Sequence, residues 1–211
     1  MTSTPPTPLA KRALDRGGGA ALALVASPLF ALSAGAIAID QLRHPASRGR
    51  WLVRERRISA GREFDLLKFR VLREDVMREV ETTDGNARLR EGDGSKLTPS
   101  GALLKRWYLD ELPQLLNVLR GDISLVGPRP WPVPMVEQQV ARGLDYRLRV
   151  PAGWTGPAQA SKGEEDMDFE RSDLEYVRAC ERLPGLGVVA LDLRTLRKTL
   201  RTMLRGEGLA Y

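Results

Sequence analysis

From Gly17 to Ile39 the chain carries no charged residue for 23 positions, while arginines crowd both flanks. As one continuous helix such a run measures about 35 Å, enough to cross a hydrocarbon core of about 30 Å. Ser27-Pro28 stands at its midpoint. A proline there removes a backbone donor and crowds the preceding turn, so a kink or break is expected. Residues 1–16 read as a polar, Pro/Thr-rich tail with a basic end. Three readings fit the run: a cleaved signal peptide with Ala34-Gly35-Ala36 as its cleavage site, a straight transmembrane helix, and a broken helix that enters and leaves by one face. Lys11, Arg12 and Arg16 precede it; Arg43, Arg48, Arg50, Arg54, Arg56 and Arg57 follow it. Basic flanks favour the cytoplasmic side. A hairpin bent at Pro28 satisfies both flanks, and a single crossing satisfies one.

Beyond the run, residues 51–73 pattern as two short strands about a turn at Ala60-Gly61. Residues 81–97 are polar and Gly-rich, a surface loop. Residues 97–108 predict a short helix. Apolar positions 109, 112, 115, 116 and 119 form a helical stripe, with Gly121 placed to cap its C-terminus. Pro113 is acceptable only in a first turn, so this helix is expected to start near Asp110-Glu111. Residues 123–126 read as a strand, 134–146 as a helix, 150–159 as a Gly/Pro-rich loop and 161–170 as an acidic loop. In 188–205, Leu193, Leu196, Leu200, Met203 and Leu204 share a face, and Arg194, Arg197, Lys198, Arg201 and Arg205 cover much of the rest. Such a helix suits an anionic membrane surface or an ordinary packed stripe. The expected fold is α+β, mainly helical with a small β-sheet. Its divisions are a tail (1–16), a membrane segment (17–39) and a catalytic domain (40–211).

Composition narrows the chemistry. The 211 residues suit one domain. His44 and Cys180 are the only residues of their kinds, which excludes a disulfide framework, a zinc ribbon and a multi-histidine metal site. Acid–base or nucleophilic work falls to carboxylates, lysines or hydroxyls. Lysine and arginine total 33 against 27 acidic residues, a net charge of +6, and only six of the 33 are lysine. Arginine is the better fork for phosphate, so an anionic substrate or surface is favoured.

Asp110 and Glu111 are adjacent carboxylates at an expected helix start, where acidic residues also occur merely to complement the dipole. Arg129 follows in Gly127-Pro-Arg-Pro130, its backbone held between two prolines. A carboxylate and a rigid arginine describe a site for phosphoryl chemistry. A diphosphate would be repelled by a bare carboxylate unless a divalent cation and basic groups neutralise its oxygens. Mg²⁺ on Asp110 and Glu111 suits that role. The carboxylate could then attack phosphorus. Lys68 and Arg70, two apart on a strand, add cations on one face.

The residues in this order resemble the bacterial sugar transferase family, the small monotopic polyprenyl-phosphate phosphoglycosyl transferases. The resemblance runs from about Lys11 to Gly208: Lys11-Arg12 and Asp15 before the break at Ser27-Pro28, Arg54-Glu55-Arg56, Phe64 through Lys68-Phe69-Arg70, the long stretch Leu109–Pro130, Gly153-Trp-Thr-Gly156 with Ala158-Gln159, and Asp173–Val177. It implies that Asp110 is the nucleophile on the β-phosphate of a UDP-sugar, releasing UMP. Glu111 would assist through Mg²⁺ or by activating the acceptor, a polyprenyl phosphate of undecaprenyl or decaprenyl type. It implies substrate or phosphate binding by Arg129, Lys68, Arg70, Arg56 and Gln159. It also implies a re-entrant anchor in a bacterial cell membrane, interfacial amphipathic helices and a catalytic domain on the cytoplasmic face.

This chain departs from the family pattern in places. Val150-Pro-Ala-Gly153 stands where the family has Val-Arg-Pro-Gly, which leaves Arg147 or Arg149 to fill the missing arginine's space. Arg54 replaces a glutamine, and Trp107-Tyr108 precede the dyad. Membrane lipid is an expected partner, nucleic acid is not, and a homo-oligomer is compatible. The alternative function is a non-catalytic basic scaffold at the membrane, although aromatics are scarce at 6% and no nucleic-acid motif appears.

Overall fold

A computed structural model describes residues 7–83, 87–161 and 168–205. Residues 162–167, most of the acidic loop, and 84–86, in the Gly-rich loop, lie outside the described residues. Helices α1 (Leu9–Val25) and α2 (Ser27–Arg43) are followed by a hairpin of β1 (Leu52–Ser59) and β2 (Arg62–Phe69). Then come α3 (Glu74–Thr82), α4 (Pro99–Arg106), α5 (Gln114–Arg120), β3 (Ser124–Val126), α6 (Val133–Ala141), α7 (Tyr146–Arg149), β4 (Gly153–Thr155), α8 (Pro157–Ala160), α9 (Phe169–Arg182) and α10 (Gly185–Leu204). The mainly helical α+β expectation holds. The chain divides into two compact units. One comprises Leu22–Glu55 and Leu66–Gln114, and the other Met1–Ala21, Arg56–Asp65 and Leu115–Tyr211.

The expected break is present. The axes of α1 and α2 bend by 55° about Ala26, and neither helix alone is long and apolar enough to cross a membrane. Pro28 lies in the first turn of α2, where its missing N–H forfeits no helical bond. Ser27 Oγ donates to the carbonyl of Leu24 at 2.7 Å, satisfying an acceptor that the break exposes. Leu24, Val25, Leu32 and Leu42 are exposed along the bent pair, as a lipid-facing surface requires.

In the unit containing α2, two apolar clusters form. Val53, Val71, Leu72, Val76, Met77, Val80 and Ala87 make the first. Ile37, Phe69, Leu104 and Leu112 make the second, with Ala26, Phe30 and Leu109 packed against it. Asp40, buried on α2, accepts from Ser100 N at 2.9 Å in the first turn of α4 and from Ser47 Oγ at 3.1 Å. The hairpin turn falls where the sequence places it. Ala60 and Gly61 take φ of +48° and +74°, a pair of positive values that suits a two-residue hairpin turn.

In the other unit, β3 and β4 pair in parallel, with Ser124 opposite Gly153 and Val126 opposite Thr155. The stretch read as a polar, basic-ended tail (1–16) includes the start of α1. Helix begins at Leu9, and Lys11 and Asp15 are buried. Lys11 Nζ lies 3.1 Å from Asp15 Oδ1 and 2.5 Å from Asp192 Oδ2. It also bonds the Ser124 hydroxyl and, at 3.1 Å, the Val126 carbonyl. Lys11 is therefore a buried counter-ion rather than a flanking charge of the hydrophobic run.

Helix α10 inverts the usual amphipathic rule. Its inward side is Val188, Asp192, Thr195 and Thr202, and Thr202 Oγ1 donates to Ala160 O at 2.7 Å. The predicted leucine face points outward instead, with Leu200 58% and Leu204 78% exposed. Of the two readings left open for this helix, the packed-stripe one fails because hydroxyls and a carboxylate occupy the protein side.

Candidate active site

The predicted continuous helix from Asp110 is replaced by two pieces, a 3₁₀ turn at Leu109–Glu111 and then α5. Tyr108 enters the turn with a left-handed φ of +55°, and Leu112 N donates to Leu109 O at 3.2 Å. Two pieces give two phases, so the stripe does not run through. Leu115 and Val118 are buried, Leu116 is 39% exposed and Asn117 turns inward. Asn117 Nδ2 donates to Asp65 O and Asp122 Oδ2, each at 2.8 Å.

The turn seats the dyad. Leu109 and Leu112 bracket Asp110-Glu111 and pack with Phe30 and Ile37 of α2, with Leu104 of α4 and with Phe69. Phe30 and Phe69 meet edge to face, with centroids 6.1 Å apart. Asp110 is only 6% exposed. Burial first, and then the adjoining Glu111 carboxylate, push its carboxyl up to about 7, against the pull of Lys68 and Lys105. Each of those lysines also has a carboxylate, Glu55 at 3.4 Å from Lys68 and Glu91 at 2.6 Å from Lys105. The surroundings of Asp110 thus include two lysines that are each paired with a carboxylate of their own.

The two strand cations part company. Lys68 acts on Asp110. Arg70, just past β2, spends its guanidinium on backbone: Nε donates to Arg50 O at 2.6 Å, Nη1 to Leu72 O at 2.6 Å and Nη2 to Ser47 O at 2.5 Å. Burial lowers its pKa, with Glu74 opposing. This is the geometry of a structural staple.

The remaining predicted residues lie in the other unit. Arg129 follows β3, half-buried in its proline-flanked loop. Gly127 N donates to Thr155 O and Gly153 N to Pro128 O, both at 2.9 Å. A Cβ on Gly153 or Gly156 would strike the Gly127 backbone, so these glycines permit the close approach. Arg147 is buried, with all three guanidinium nitrogens engaged inside the protein. Arg149 bonds Asp145 at 2.7 Å and Glu181 at 3.2 Å on the surface, and Arg56 bonds Glu63 at 2.7 Å. The Gln159 amide is buried, and neither its nitrogen nor its oxygen has a hydrogen-bond partner in the protein. Such a group costs about 1–3 kcal/mol unless a ligand or water completes it. Sequence reasoning missed Lys105 and Glu91, which flank the Asp110 pocket; a lone Lys and a Glu in a polar segment carried no signal.

Asp110 is thus a buried carboxyl of raised pKa beside a second carboxylate, on a turn packed against α2. The chain belongs to the bacterial sugar transferase family, whose sequence profile matches residues 7–206. It is 36% identical over 204 residues to the UDP-glucose:undecaprenyl-phosphate glucose-1-phosphate transferase of Caulobacter vibrioides, covering 92% of this chain and 71% of that one. It is 33% identical to the exopolysaccharide production protein ExoY of Rhizobium meliloti, covering 86% and 82%. It is 38% identical to an undecaprenyl-phosphate glucose phosphotransferase of Komagataeibacter xylinus, covering 88% of this chain but 35% of the relative. The chain spans about a third of the length of several other relatives.

Proposed function

We propose that this protein transfers a sugar-1-phosphate from a UDP-sugar to a membrane polyprenyl phosphate, starting a bacterial glycan or exopolysaccharide. The observation that carries the reading is Asp110, buried and raised to about 7 on a turn packed against α2, in a chain of this family. In the first step an ionised Asp110 oxygen attacks the β-phosphorus. The bond from that phosphorus to the bridging oxygen breaks, and its electron pair leaves with UMP. In the second step a phosphate oxygen of the acceptor attacks the same phosphorus. The aspartyl–phosphorus bond breaks, which restores the carboxylate and yields the diphosphate-linked sugar. Desolvation suits this nucleophile, since a carboxylate stripped of water is less stable than in bulk.

The donor set fits Mg²⁺. Asp110 and Glu111 offer two adjacent carboxylates, and the second raises the pKa of the first. Among the described residues no group of three or more His, Cys, Asp and Glu forms a closed cage, and Mg²⁺ is commonly held by one or two carboxylates plus substrate phosphates. When bound, the ion neutralises phosphate oxygens and draws Asp110 toward its ionised form. Lys68 contributes fixed positive charge beside Asp110. In the other unit, the family motif carries donor-phosphate binding to Arg129 and donor contact to Gln159.

The 55° bend, the exposed leucines of α1 and α2 and the outward leucine–arginine surface of α10 support a monotopic, re-entrant attachment. Both chain ends and the catalytic residues would then lie on the cytoplasmic face. Family membership favours this enzyme over the basic-scaffold alternative. The test is a UMP-release screen over a panel of UDP-sugars with membrane fractions, run with and without polyprenyl phosphate. UMP and a covalent labelled adduct are expected without acceptor. A strict requirement for acceptor before any bond breaks would replace the two-step route with direct displacement. No UMP from any donor would overturn the reading.

A further inference from the structure

The segment Val126–Pro132 contains three prolines, at 128, 130 and 132. None of them has an N–H, so the loop has few donors with which to tie itself to its surroundings. Besides the Gly127 N–H, which meets Thr155 O, it is held by its carbonyls. Val126 O accepts from Lys11 Nζ at 3.1 Å, and Tyr176 Oη lies 3.0 Å from it. Pro128 O accepts from Gly153 N at 2.9 Å, and Trp131 O from Ile58 N at 3.3 Å. The carbonyl of Arg129 accepts from Arg147 Nη1 at 2.7 Å.

Arg147 is built for that contact. Its Nη2 donates to Asp173 Oδ2 at 2.8 Å and its Nε to Gln139 Oε1 at 3.0 Å. Its guanidinium carbon sits 4.0 Å from the ring centroid of Trp131, two residues past Arg129. One planar cation thus grips the loop on both sides of Pro130, by a hydrogen bond before it and by ring stacking after it. A lysine could supply the charge but not the fork or the stacking plane.

We propose that Arg147 is a positioning residue: by holding the Arg129 carbonyl and the Trp131 ring, it fixes the backbone of the loop that carries Arg129, the residue to which the proposed function gives the donor phosphate. This rests on the phosphoglycosyl-transfer reading, and it replaces the expectation that Arg147 itself binds substrate. Asp173 and Gln139 set the orientation of Arg147, and through it that of the loop.

The test is a double-mutant cycle read by UMP release in detergent or nanodiscs. Arg147→Lys is expected to raise KM for the UDP-sugar about 10-fold with a smaller change in kcat. Arg129→Ala is expected to raise KM as well. If Arg147 acts through Arg129, the double variant is no worse than Arg129→Ala alone, because the side chain that the loop carries is gone. A purely structural role would give losses that multiply, and that result overturns the proposal, as does an unchanged KM in Arg147→Lys. Thermal melts accompany each variant. Should Arg147→Lys fail to fold, Trp131→Leu removes only the stacking surface and is read in the same cycle, with the same two outcomes. Failure of the wild-type enzyme to release UMP from any donor would strike the functional reading. UMP release with multiplicative losses strikes the positioning role alone.

Discussion

Replacing Asp110 by asparagine is expected to destroy turnover and to stabilise the protein, with a pH dependence that identifies the cause. The unfolded carboxyl ionises near its ordinary value of 3.8, and the folded one at about 7. Between those values the folded state keeps a proton that the unfolded state has lost. Stability therefore falls as pH rises through this window, by about 1.4 kcal/mol per pH unit. The accumulated cost levels off at about 4 kcal/mol above the folded pKa, an upper limit because a buried carboxylate relaxes toward any water it reaches. Asparagine has nearly the same shape and cannot ionise. Its advantage over wild type should be near zero around pH 4 and grow to that limit by pH 8. For a chain of this size 1 kcal/mol shifts Tm by about 2–4 °C, so the ceiling is about 8–16 °C.

The assay is thermal unfolding of both proteins in nanodiscs with EDTA from pH 4.5 to 8.5. A difference in Tm that ignores pH, or a variant less stable than wild type at pH 8, would refute the argument that Asp110 is held in an unfavourable ionised state. Adding Mg²⁺ at pH 8 supplies the check on the metal. It should raise the Tm of the wild type and leave Asp110→Asn much less affected, because the variant keeps only Glu111 of the two carboxylates and loses the buried one that the ion relieves. Equal responses would remove Asp110 from its coordination.

Three further expectations rest on packing. Lys11→Met leaves Asp15 and Asp192 buried without their cation, which should cost about 3–5 kcal/mol; adding Asp192→Asn should restore part of the lost Tm, and a double variant no better than the single one would show that the charge is not the cause. Gly153→Ala places a methyl group against the Gly127 backbone, whereas Gly17→Ala meets nothing within 4 Å. Melts should show a large loss for the first and a change within about 1 kcal/mol for the second, and equal effects would contradict the close approach of the two strands. Pro28→Leu removes the proline from the first turn of α2, so an N-terminal tag, expected on the cytoplasmic side in the wild type, should become partly periplasmic in accessibility labelling; an unchanged tag would mean that other features impose the bend.

Sequence pattern exposed the parts whose cause is local. Pro28 gave away the break, Ala60-Gly61 the hairpin, and the uncharged run the bent pair. Elements fixed by distant partners were opaque. Strand β4 is three residues, Gly-Trp-Thr, with no alternation to read, and it exists because β3 lies beside it in parallel. Helix α9 escaped because its inward face includes Asp173 and Tyr176, so apolar periodicity was the wrong signal. The same holds for α10, where reading the leucines as the inward stripe inverts the helix. Helix α3 was legible in Val76, Met77 and Val80 and was passed over. At the site, Asp110 and Glu111 stood out because two carboxylates precede a proline-flanked arginine. Arg70 and Arg147 could not be sorted from ligand-binding arginines, since whether a guanidinium meets a phosphate or a carbonyl depends on backbone brought in from elsewhere.

The same packing that hid these roles ties the Asp110 turn to the helix after the break. Phe30 is three residues after Ser27, on the helix that follows the break, and its ring meets Phe69 in the cluster that also anchors Leu109 and Leu112. Phe30→Ala removes a shared wall of that cluster and an aromatic contact worth about 0.5–1.5 kcal/mol beyond its area. The substitution leaves Asp110 and the exposed leucines of the bent pair in the sequence. Vesicle flotation should therefore be unchanged, while UMP release falls. A displacement of about 1 Å at the reacting group can cost on the order of 100-fold in rate, so a drop of about 10-fold or more is expected. Full activity in Phe30→Ala would mean that the turn holds its place without α2. Loss of flotation together with activity would mean that the bent pair itself had come apart. Only the split result, attachment kept and turnover lost, shows that the broken helix acts as the seat of the dyad as well as an anchor.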